Sequence, residues 1–284
     1  MPVRSHVTAR QLRLGIELRK LRERASLSST EAGRLLGTSQ AQISNIEASR
    51  VGVSADRIRT LARNYSCTDG ALVDALVGMA SERPGGWWNE YRETLPTNLI
   101  DLAETEHHAT ALRVAQVINI PGLLQTADHA RALFRESVPA LLPHEIEFRV
   151  SHRIKRQSVL YRKASPFPYT AIIHEAALRM QFGGPATAKA QLEHLMAMSE
   201  LSNVTIAVIP FNGASFPTSG HGIDYDYGPV TQLDTAVLET AHGSALIDSA
   251  ARLEKYRLTL DRMESAALGS NQSRELIHRI AKDL

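Results

Sequence analysis

Apolar residues near the start of the chain recur at the spacing of one helix face. Four of them follow one another at intervals of four, three and four positions: Leu14, Leu18, Leu21 and Ala25. This stripe predicts a first helix of about four turns. Apolar residues at similar spacing predict two short helices within residues 27–50. They also predict a helix that Ser54 caps and another that Thr68 caps. Five helices before residue 80 indicate a small all-helical domain.

Residues 27–50 contain two helix starts. Ser28 is followed three positions later by Glu31, and Ser39 is followed in the same way by Gln42, so each pair has the spacing of a capping box. Gly37 lies between the pairs, where a left-handed residue can end the first short helix without steric cost. The segment therefore predicts two short helices joined by a glycine turn.

The second short helix has one apolar face and one small polar face. At about 100° per residue, Ile43 and Ile46 fall on the inner side. The opposite side carries Ala41, Ser44, Asn45 and Ala48. Gln42 lies near the buried edge, which suits a bond back to its cap better than a contact with bases. Glu47 lies near the same edge, and because an unpaired buried carboxylate is costly, we expect Arg22 of the first helix to pair with it.

The run LRKLRERASLSSTEAGRLLGTSQAQISNIEASR resembles the helix-turn-helix family of phage repressors and Cro proteins, the XRE type, over roughly residues 10–66. The resemblance implies that residues 39–48 form a recognition helix in the major groove of DNA. It also implies the ion pair between Arg22 and Glu47. Ser26 stands where the family usually has glycine, and Ser29 stands where many members have a glutamine that bonds a phosphate.

The resemblance places the base contacts on the first residues of the recognition helix: Gln40, Ala41, Ser44 and Asn45. The glutamine and the asparagine can each make a bidentate contact to adenine, and the alanine can touch a thymine methyl. The residues assigned to the DNA backbone are Ser29, Ser39, Arg50 and Arg24. The residues assigned to support of the motif are Arg22, Glu47, Ser28, Glu31 and Gln42. Because one such module buries only roughly 600 to 1,000 Å², we expect a homodimer on a two-fold related double-stranded operator.

Basic charge is concentrated in the part of the chain that carries this motif. Residues 1–64 hold twelve Lys and Arg against five Asp and Glu, a net charge of +7. The remainder holds twenty basic and twenty-five acidic residues, a net charge of −5, so the net charge of the whole chain, +2, hides the asymmetry. A positive domain is what a nucleic-acid partner requires, and a solvated helix face is the alternative interpretation.

Residues 81–96 are rich in helix breakers and in aromatic residues, the latter being Trp87, Trp88 and Tyr91. Because rings of this size usually bury their surface, we expect them to fill a domain junction, with stacking on a ligand or partner as the alternative. We therefore divide the chain into a DNA-binding domain at residues 1–80, an aromatic junction at residues 81–96 and a second domain at residues 97–284.

Helix and strand patterns alternate in the second domain. Apolar runs with β-branched residues predict buried strands at residues 114–120, 169–173 and 204–209. Periodic stretches predict helices at residues 99–113, 126–134, 143–162, 175–200, 249–268 and 272–283. Glycine-rich residues 211–247 predict further strands and loops. We expect an all-α helix-turn-helix domain followed by a mixed α/β (α+β) domain.

Several segments of the second domain carry a second resemblance: INIPGLLQTADHAR, RIKRQSVL, IIHEAALRMQFGG, AQLEHLMAM, NVTIAVIPF and ALGSNQSRELI. Together they resemble the C-terminal domain, of the DUF5753 type, found in actinobacterial helix-turn-helix regulators, over roughly residues 87–283. The resemblance implies an antitoxin-like regulator, often encoded beside a small acidic partner protein, with no assigned biochemical activity. Residues 219–231 depart from the plainer strand that members usually show there.

Metal and cofactor chemistry is not expected. Glu104, His107 and His108 have helical spacing, but the chain has no HExxH pattern, so we expect no metal site and no cofactor. A single cysteine, Cys67, excludes a disulfide within one chain. With no signal peptide and no apolar run of membrane length, we expect no membrane association and a cytoplasmic location.

Catalysis is the competing class of function. No GxSxG, phosphate-loop or dinucleotide motif occurs. The groups that an acid–base mechanism would use are His174, Glu175, Asp224 and Asp226, but their spacing fixes no geometry. We therefore expect the protein not to be an enzyme.

The sequence thus predicts a sequence-specific DNA-binding transcriptional regulator whose second domain receives a regulatory input. That input is expected from a small acidic partner protein encoded nearby or from a small-molecule effector. A basic face that could receive an acidic partner lies on the predicted helix at residues 143–162, at Arg149, Arg153 and Arg156, with a solvated face as the equal alternative. Two other functions stay open: an antitoxin-like protein that mainly binds and neutralises a small partner, and an enzyme fused to a DNA-binding domain.

Overall fold

The computed structural model describes residues 7–81, 85–162, 166–213, 217, 221–240 and 243–284. The chain divides into two compact units, Met1–Trp87 and Trp88–Leu284. In the described ranges, none of the helices combines the length and the apolar character that crossing a membrane requires.

The first unit is all helical, as predicted. Its helices are α1 (Ala9–Arg24), α2 (Ser29–Leu36), α3 (Gln40–Glu47), α4 (Ala55–Asn64) and α5 (Gly70–Ser81). The first helix contacts α3, α4 and α5, and its apolar stripe is buried from Leu14 to Leu21. The predicted cap of the last helix is corrected: because α5 begins at Gly70, Asp69 rather than Thr68 accepts a hydrogen bond from the backbone N–H of Leu72, at 3.0 Å.

The second unit is built on a mixed sheet of six strands. The strands are β1 (Ala111–Gln116), β2 (Tyr169–His174), β3 (Val204–Ile209), β4 (Ile223–Tyr227), β5 (Thr235–Thr240) and β6 (Gly243–Ile247). Their order across the sheet is β3-β2-β1-β4-β5-β6. Strands β1, β2 and β3 are parallel, and the pairings from β1 to β4, β4 to β5 and β5 to β6 are antiparallel.

The helices of the second unit accompany this sheet. They are α6 (Thr97–His108), α7 (Ala127–Arg135), α8 (Pro143–Arg156), α9 (Glu175–Arg179), α10 (Pro185–Met198), α11 (Ala250–Ala266) and α12 (Ser270–Lys282). Each face of the sheet has its own apolar core. Residues of α10 and α12 pack with Leu112 and Val114 on one face, whereas residues of α11 pack with Ala115 on the other. The expected α+β architecture is confirmed.

Several predicted element boundaries in the second unit are corrected. The predicted helix at residues 99–113 ends at His108, and the first strand is residues 111–116 rather than 114–120. Arg113 belongs to this strand because it pairs with β2 and β4, and its side chain bonds Asp261 and Glu264 of α11 at 2.6 and 2.7 Å. The predicted helix at residues 175–200 is two helices, since Gly183 and Gly184 have φ of 77° and 88°. The predicted helix at residues 143–162 becomes a 3-10 helix after Arg156.

The glycine-rich region contains strands, as expected. Within residues 219–231, the segment that departs from the family pattern, β4 forms the centre of the sheet beside β1. Residues 219 and 220 lie outside the described residues.

The aromatic segment forms a 3-10 helix, Trp87–Tyr91, and the second unit begins within it, at Trp88. The ring of Trp88 lies 4.8 Å from that of His107 on α6, and the hydroxyl of Tyr91 lies 2.7 Å from Ser151 Oγ on α8. Both rings are buried. Their contacts therefore belong to the second unit, and the junction role stays a prediction because residues 82–84 lie outside the described residues.

Candidate nucleic-acid interface

Two capped helices form the predicted helix-turn-helix. The Ser28 hydroxyl accepts a hydrogen bond from the Glu31 N–H at 3.2 Å, and the Glu31 carboxylate accepts one from the Ser28 N–H at 2.8 Å, which completes the first capping box. At the second helix only half of the box forms. Ser39 Oγ accepts from the Gln42 N–H at 3.2 Å, but within the described residues the Gln42 side chain does not reach back to Ser39. The support assigned to Gln42 is thus limited to its backbone.

The turn between the helices uses a left-handed residue, as predicted. Gly37 ends α2 with φ of 69°. Ser26, at the position where the family usually has glycine, also has a left-handed backbone, with φ of 56°. The departure at Ser26 therefore places a β-carbon in a conformation that glycine adopts more easily.

Helix α3 presents the small polar face that the helical wheel predicts. Ile43 and Ile46 are 1% and 3% exposed and fix the helix against the first unit. Of the four assigned base readers, Gln40 and Ala41 are exposed, whereas Ser44 and Asn45 are half-buried. The amide Nε2 of Gln40 donates to Ser44 Oγ at 3.0 Å. This exposed bond leaves the glutamine at the solvent side, where it can exchange its partner for a base edge.

The predicted ion pair joins α1 to the end of α3. Arg22 donates to the two carboxylate oxygens of Glu47, at 2.7 and 2.9 Å, and a third bond goes to the Leu27 carbonyl at 2.7 Å. The hydrogen bond to Glu47 raises the pKa of the Arg22 guanidinium. The pair is confirmed, and it ties α3 to the scaffold with a bidentate geometry that holds direction as well as distance.

Gly15 is a structural requirement that sequence reasoning missed. A β-carbon at this position of α1 would lie 2.3 Å from the Glu47 carbonyl oxygen and 2.7 Å from Ser49 Oγ. The hydroxyl of Ser49 in turn donates to the Gln11 carbonyl at 2.6 Å. Helix α1 and the end of α3 therefore approach so closely that only glycine fits between them.

The residues assigned to the DNA backbone lie at the surface. Arg24, Ser39 and Arg50 are exposed, and Ser29 is half-buried in the first turn of α2. Two other basic residues of α1 form ion pairs within the unit, which charge counting did not reveal. Buried Glu17 accepts from Arg13 and Lys20, both at 2.8 Å. Both side chains are thus engaged in a contact inside the unit, while its net charge stays as counted.

The basic face assigned to an acidic partner does not form as predicted. Arg156 is 4% exposed and makes a bidentate pair with the carboxylate of Glu106, at 2.5 and 2.7 Å. Arg153 is half-buried, donating to Gln125 Oε1 at 2.6 Å, and Arg149 is half-buried too, donating to the Glu145 carbonyl at 3.2 Å. Arg153 and Arg156 therefore join α8 to other parts of the second unit, whereas the bond of Arg149 stays within α8.

In the portion of the chain that the structure describes, no group of three or more His, Cys, Asp or Glu side chains is arranged to hold a metal ion.

Comparisons with known families match both parts of the chain. Residues 13–76 match the family described as helix-turn-helix domain. Residues 99–279, more than half of the chain, match the family described as domain of unknown function, DUF5753. No curated protein matches the chain, and no solved structure does. The chain therefore belongs to the DUF5753 family, and it carries an N-terminal helix-turn-helix domain.

Proposed function

We propose that the protein is a sequence-specific transcriptional regulator that reads the major groove with α3. The observation that carries the proposal is the geometry of this helix. Two buried isoleucines and the Arg22–Glu47 pair hold it in place, while Gln40 and Ala41 remain exposed at its first turn. A helix that is held in place and carries an exposed amide side chain in its first turn is suited to contact base edges.

The operator is found first, by selecting sites from a random pool of double-stranded DNA. Gln40→Ala and Asn45→Ala are each expected to weaken binding to the selected site by about 1 to 3 kcal/mol, with little effect on random DNA. Thr68→Ala, an exposed polar residue outside the helix-turn-helix, is the matched control. If both amide variants bind the selected site and random DNA as the parent does, α3 does not read bases.

Backbone contacts give a different signature. Arg50 is exposed just after α3, so Arg50→Ala is expected to weaken binding to all duplexes about equally. The slope of log affinity against log salt concentration should fall by about one. If the affinity falls only for the selected site, Arg50 contacts bases rather than the DNA backbone.

We propose that the regulator binds as a homodimer. One helix-turn-helix module buries a small area for specific binding, and a second copy doubles it. The selected sites should then contain two related half-sites about one helical turn apart. Selected sites without two-fold symmetry, together with one protein per duplex in sedimentation, would contradict the dimer.

We infer that the second unit takes the regulatory input, from a small acidic protein or a small molecule, and acts by binding rather than by catalysis. Its support is the resemblance to regulators that pair these two domains, since a coupling of about 1 to 3 kcal/mol is sufficient to change operator occupancy. Co-purification, with co-expression of any small acidic protein encoded beside this chain, followed by mass determination, separates a protein partner from a metabolite. If neither is retained and the neighbour leaves operator affinity unchanged, the docking proposal fails.

A further inference from the structure

Asp226 lies inside the second unit, on the face of the sheet that the main core covers. In the register of the sheet, Leu112 of β1 pairs with Asp226 of β4 on one side and with Tyr169 of β2 on the other. Side chains of residues paired in this way point to the same face. Leu112 and Tyr169 both belong to the core packed by α10 and α12, so the carboxyl group of Asp226 enters that core. It is 3% exposed.

The carboxyl group of Asp226 lacks the hydrogen-bond donors that the nearby buried Asp234 has. Neither of its oxygens has a hydrogen-bond partner among the described residues. Asp234, close in sequence and also buried, accepts from the Tyr225 hydroxyl at 2.8 Å and from the Gly228 N–H at 3.0 Å. A buried ionised carboxylate without a donor or a cation is costly, whereas the protonated form loses much less on burial.

The charges around Asp226 act in the same direction. Glu106 acts on it from α6, Asp224 from its own strand and Asp234 from the residue before β5, and each disfavours a further negative charge. Arg156, from α8, is the cation that opposes them, but its guanidinium is already paired with Glu106. Tyr169 contributes a buried hydroxyl from β2 with no partner among the described residues. Burial, with these charges added, raises the pKa of Asp226 well above its ordinary value.

We propose that Asp226 carries a proton in the folded protein and that this proton makes the stability of the second unit depend on pH. The sign of the pH dependence follows from the protons bound by the folded and by the unfolded chain. In the unfolded chain the carboxyl group ionises at its ordinary pKa, so around neutral pH the folded chain binds the extra proton. Stability is therefore lost as pH rises.

The test compares Asp226→Asn with the parent chain in urea unfolding at several pH values. Unfolding is followed by tryptophan fluorescence, which comes from Trp87 and from Trp88, the latter buried in the second unit. Asparagine keeps the shape of a protonated carboxyl group and cannot ionise. All other titrating groups are the same in the two proteins. For each unit of pH rise, the unfolding equilibrium constant of the parent should therefore increase about tenfold more than that of the variant, because unfolding of the parent releases one additional proton. Glu193→Gln, an exposed carboxyl group of α10, should keep the slope of the parent.

A second measurement reports the proton directly. Infrared spectra of the parent and of Glu193→Gln at neutral pH should show the carbonyl stretch of a protonated carboxylic acid. This band should be absent from the spectrum of Asp226→Asn, so it remains when that spectrum is subtracted from the parent's. If Asp226→Asn does not fold, Asp226→Val, which also removes the ionisable group, takes its place in both measurements. Equal pH slopes in parent and variant, or a parent spectrum without the band, would overturn the proposal.

Discussion

At the scale of single residues, Gly15 is the position where helix propensity and packing give opposite answers. Replacement of glycine by alanine inside a helix normally stabilises it by up to about 1 kcal/mol. At position 15, however, the new β-carbon would meet the backbone of Glu47, at 2.3 Å from its carbonyl oxygen. A backbone atom cannot move aside as a flexible side chain does, so either α1 or the end of α3 has to shift.

Gly15→Ala is therefore expected to lower the free energy of unfolding of the first unit by about 1 to 3 kcal/mol, the usual cost of overpacking. It should also weaken operator binding, because α3 moves with Glu47. Gly78→Ala is the matched control in α5, where a β-carbon meets no atom of the described chain within 4 Å. Urea unfolding followed by circular dichroism measures the stability of both variants. A Gly15→Ala variant as stable as Gly78→Ala would show that the close approach is absent in solution.

At the scale of elements, the segment IPGLLQT has a structural role that its sequence did not reveal. Gln191 of α10 donates to the Leu124 carbonyl and accepts from the Thr126 N–H, both at 2.7 Å. Gln157, just after α8, donates to the carbonyl of Gln125 at 2.6 Å. The irregular chain between β1 and α7 is thus held by side chains from helices on two sides, which satisfy backbone groups that no secondary structure pairs.

Gln191→Met tests this role, because methionine fills a similar volume and makes neither bond. Gln191 is 1% exposed, so the variant leaves the buried Leu124 carbonyl and the partly buried Thr126 N–H without these partners. The expected loss is about 2 to 4 kcal/mol in the free energy of unfolding of the second unit. Gln272→Met, on the exposed side of α12, should change the free energy of unfolding by about 0.5 kcal/mol at most. Hydrogen exchange should quicken first at Thr126; unchanged protection there would argue against the role.

The elements that sequence predicts well are those whose signals are local. Caps, the turn glycine and the stripe of buried isoleucines all lie within a few residues of the structure they determine, and the predicted helix-turn-helix is confirmed. The missed boundaries depend on distant partners. Arg113 belongs to a strand because β2 and β4 flank it, and Arg156 is buried because Glu106 of α6 pairs with it. Such pairings are set by the tertiary fold, which periodicity does not describe.

At the scale of the whole molecule, buried ionisable groups give the second unit sensitivity to acid as well as to base. His129 is 1% exposed, and neither ring nitrogen has a hydrogen-bond partner among the described residues. Burial, with the nearby charge of Arg153, lowers the pKa of His129 to about 4. Burial acts in the same direction on His152 and lowers its pKa to about 3. Both imidazoles are thus neutral in the folded protein.

The consequence for stability has a definite sign. A histidine whose pKa is lowered by folding stabilises the folded state above its ordinary pKa of about 6.5, and this contribution is lost as pH falls towards the folded value. For His129 the loss between about pH 6.5 and pH 4 amounts to roughly 2 to 3 kcal/mol. Asp226 acts in the opposite direction, because its contribution falls as pH rises above the ordinary pKa of its carboxyl group, about 4. The two groups therefore oppose each other between about pH 4 and pH 6.5, and above pH 6.5 the loss that comes from Asp226 continues without the gain from His129.

His129→Leu is expected to flatten the acid side of this profile and leave the alkaline side unchanged, because leucine fills a similar volume and takes up no proton. The free energy of unfolding, measured in urea from pH 4 to pH 9, should fall less steeply below pH 6.5 in the variant than in the parent. His278→Leu, an exposed histidine of α12, is the matched control and should keep the acid slope of the parent. If the His129→Leu and parent profiles stay parallel below pH 6.5, His129 is protonated to the same extent in the folded and unfolded chains, and the acid sensitivity has another source.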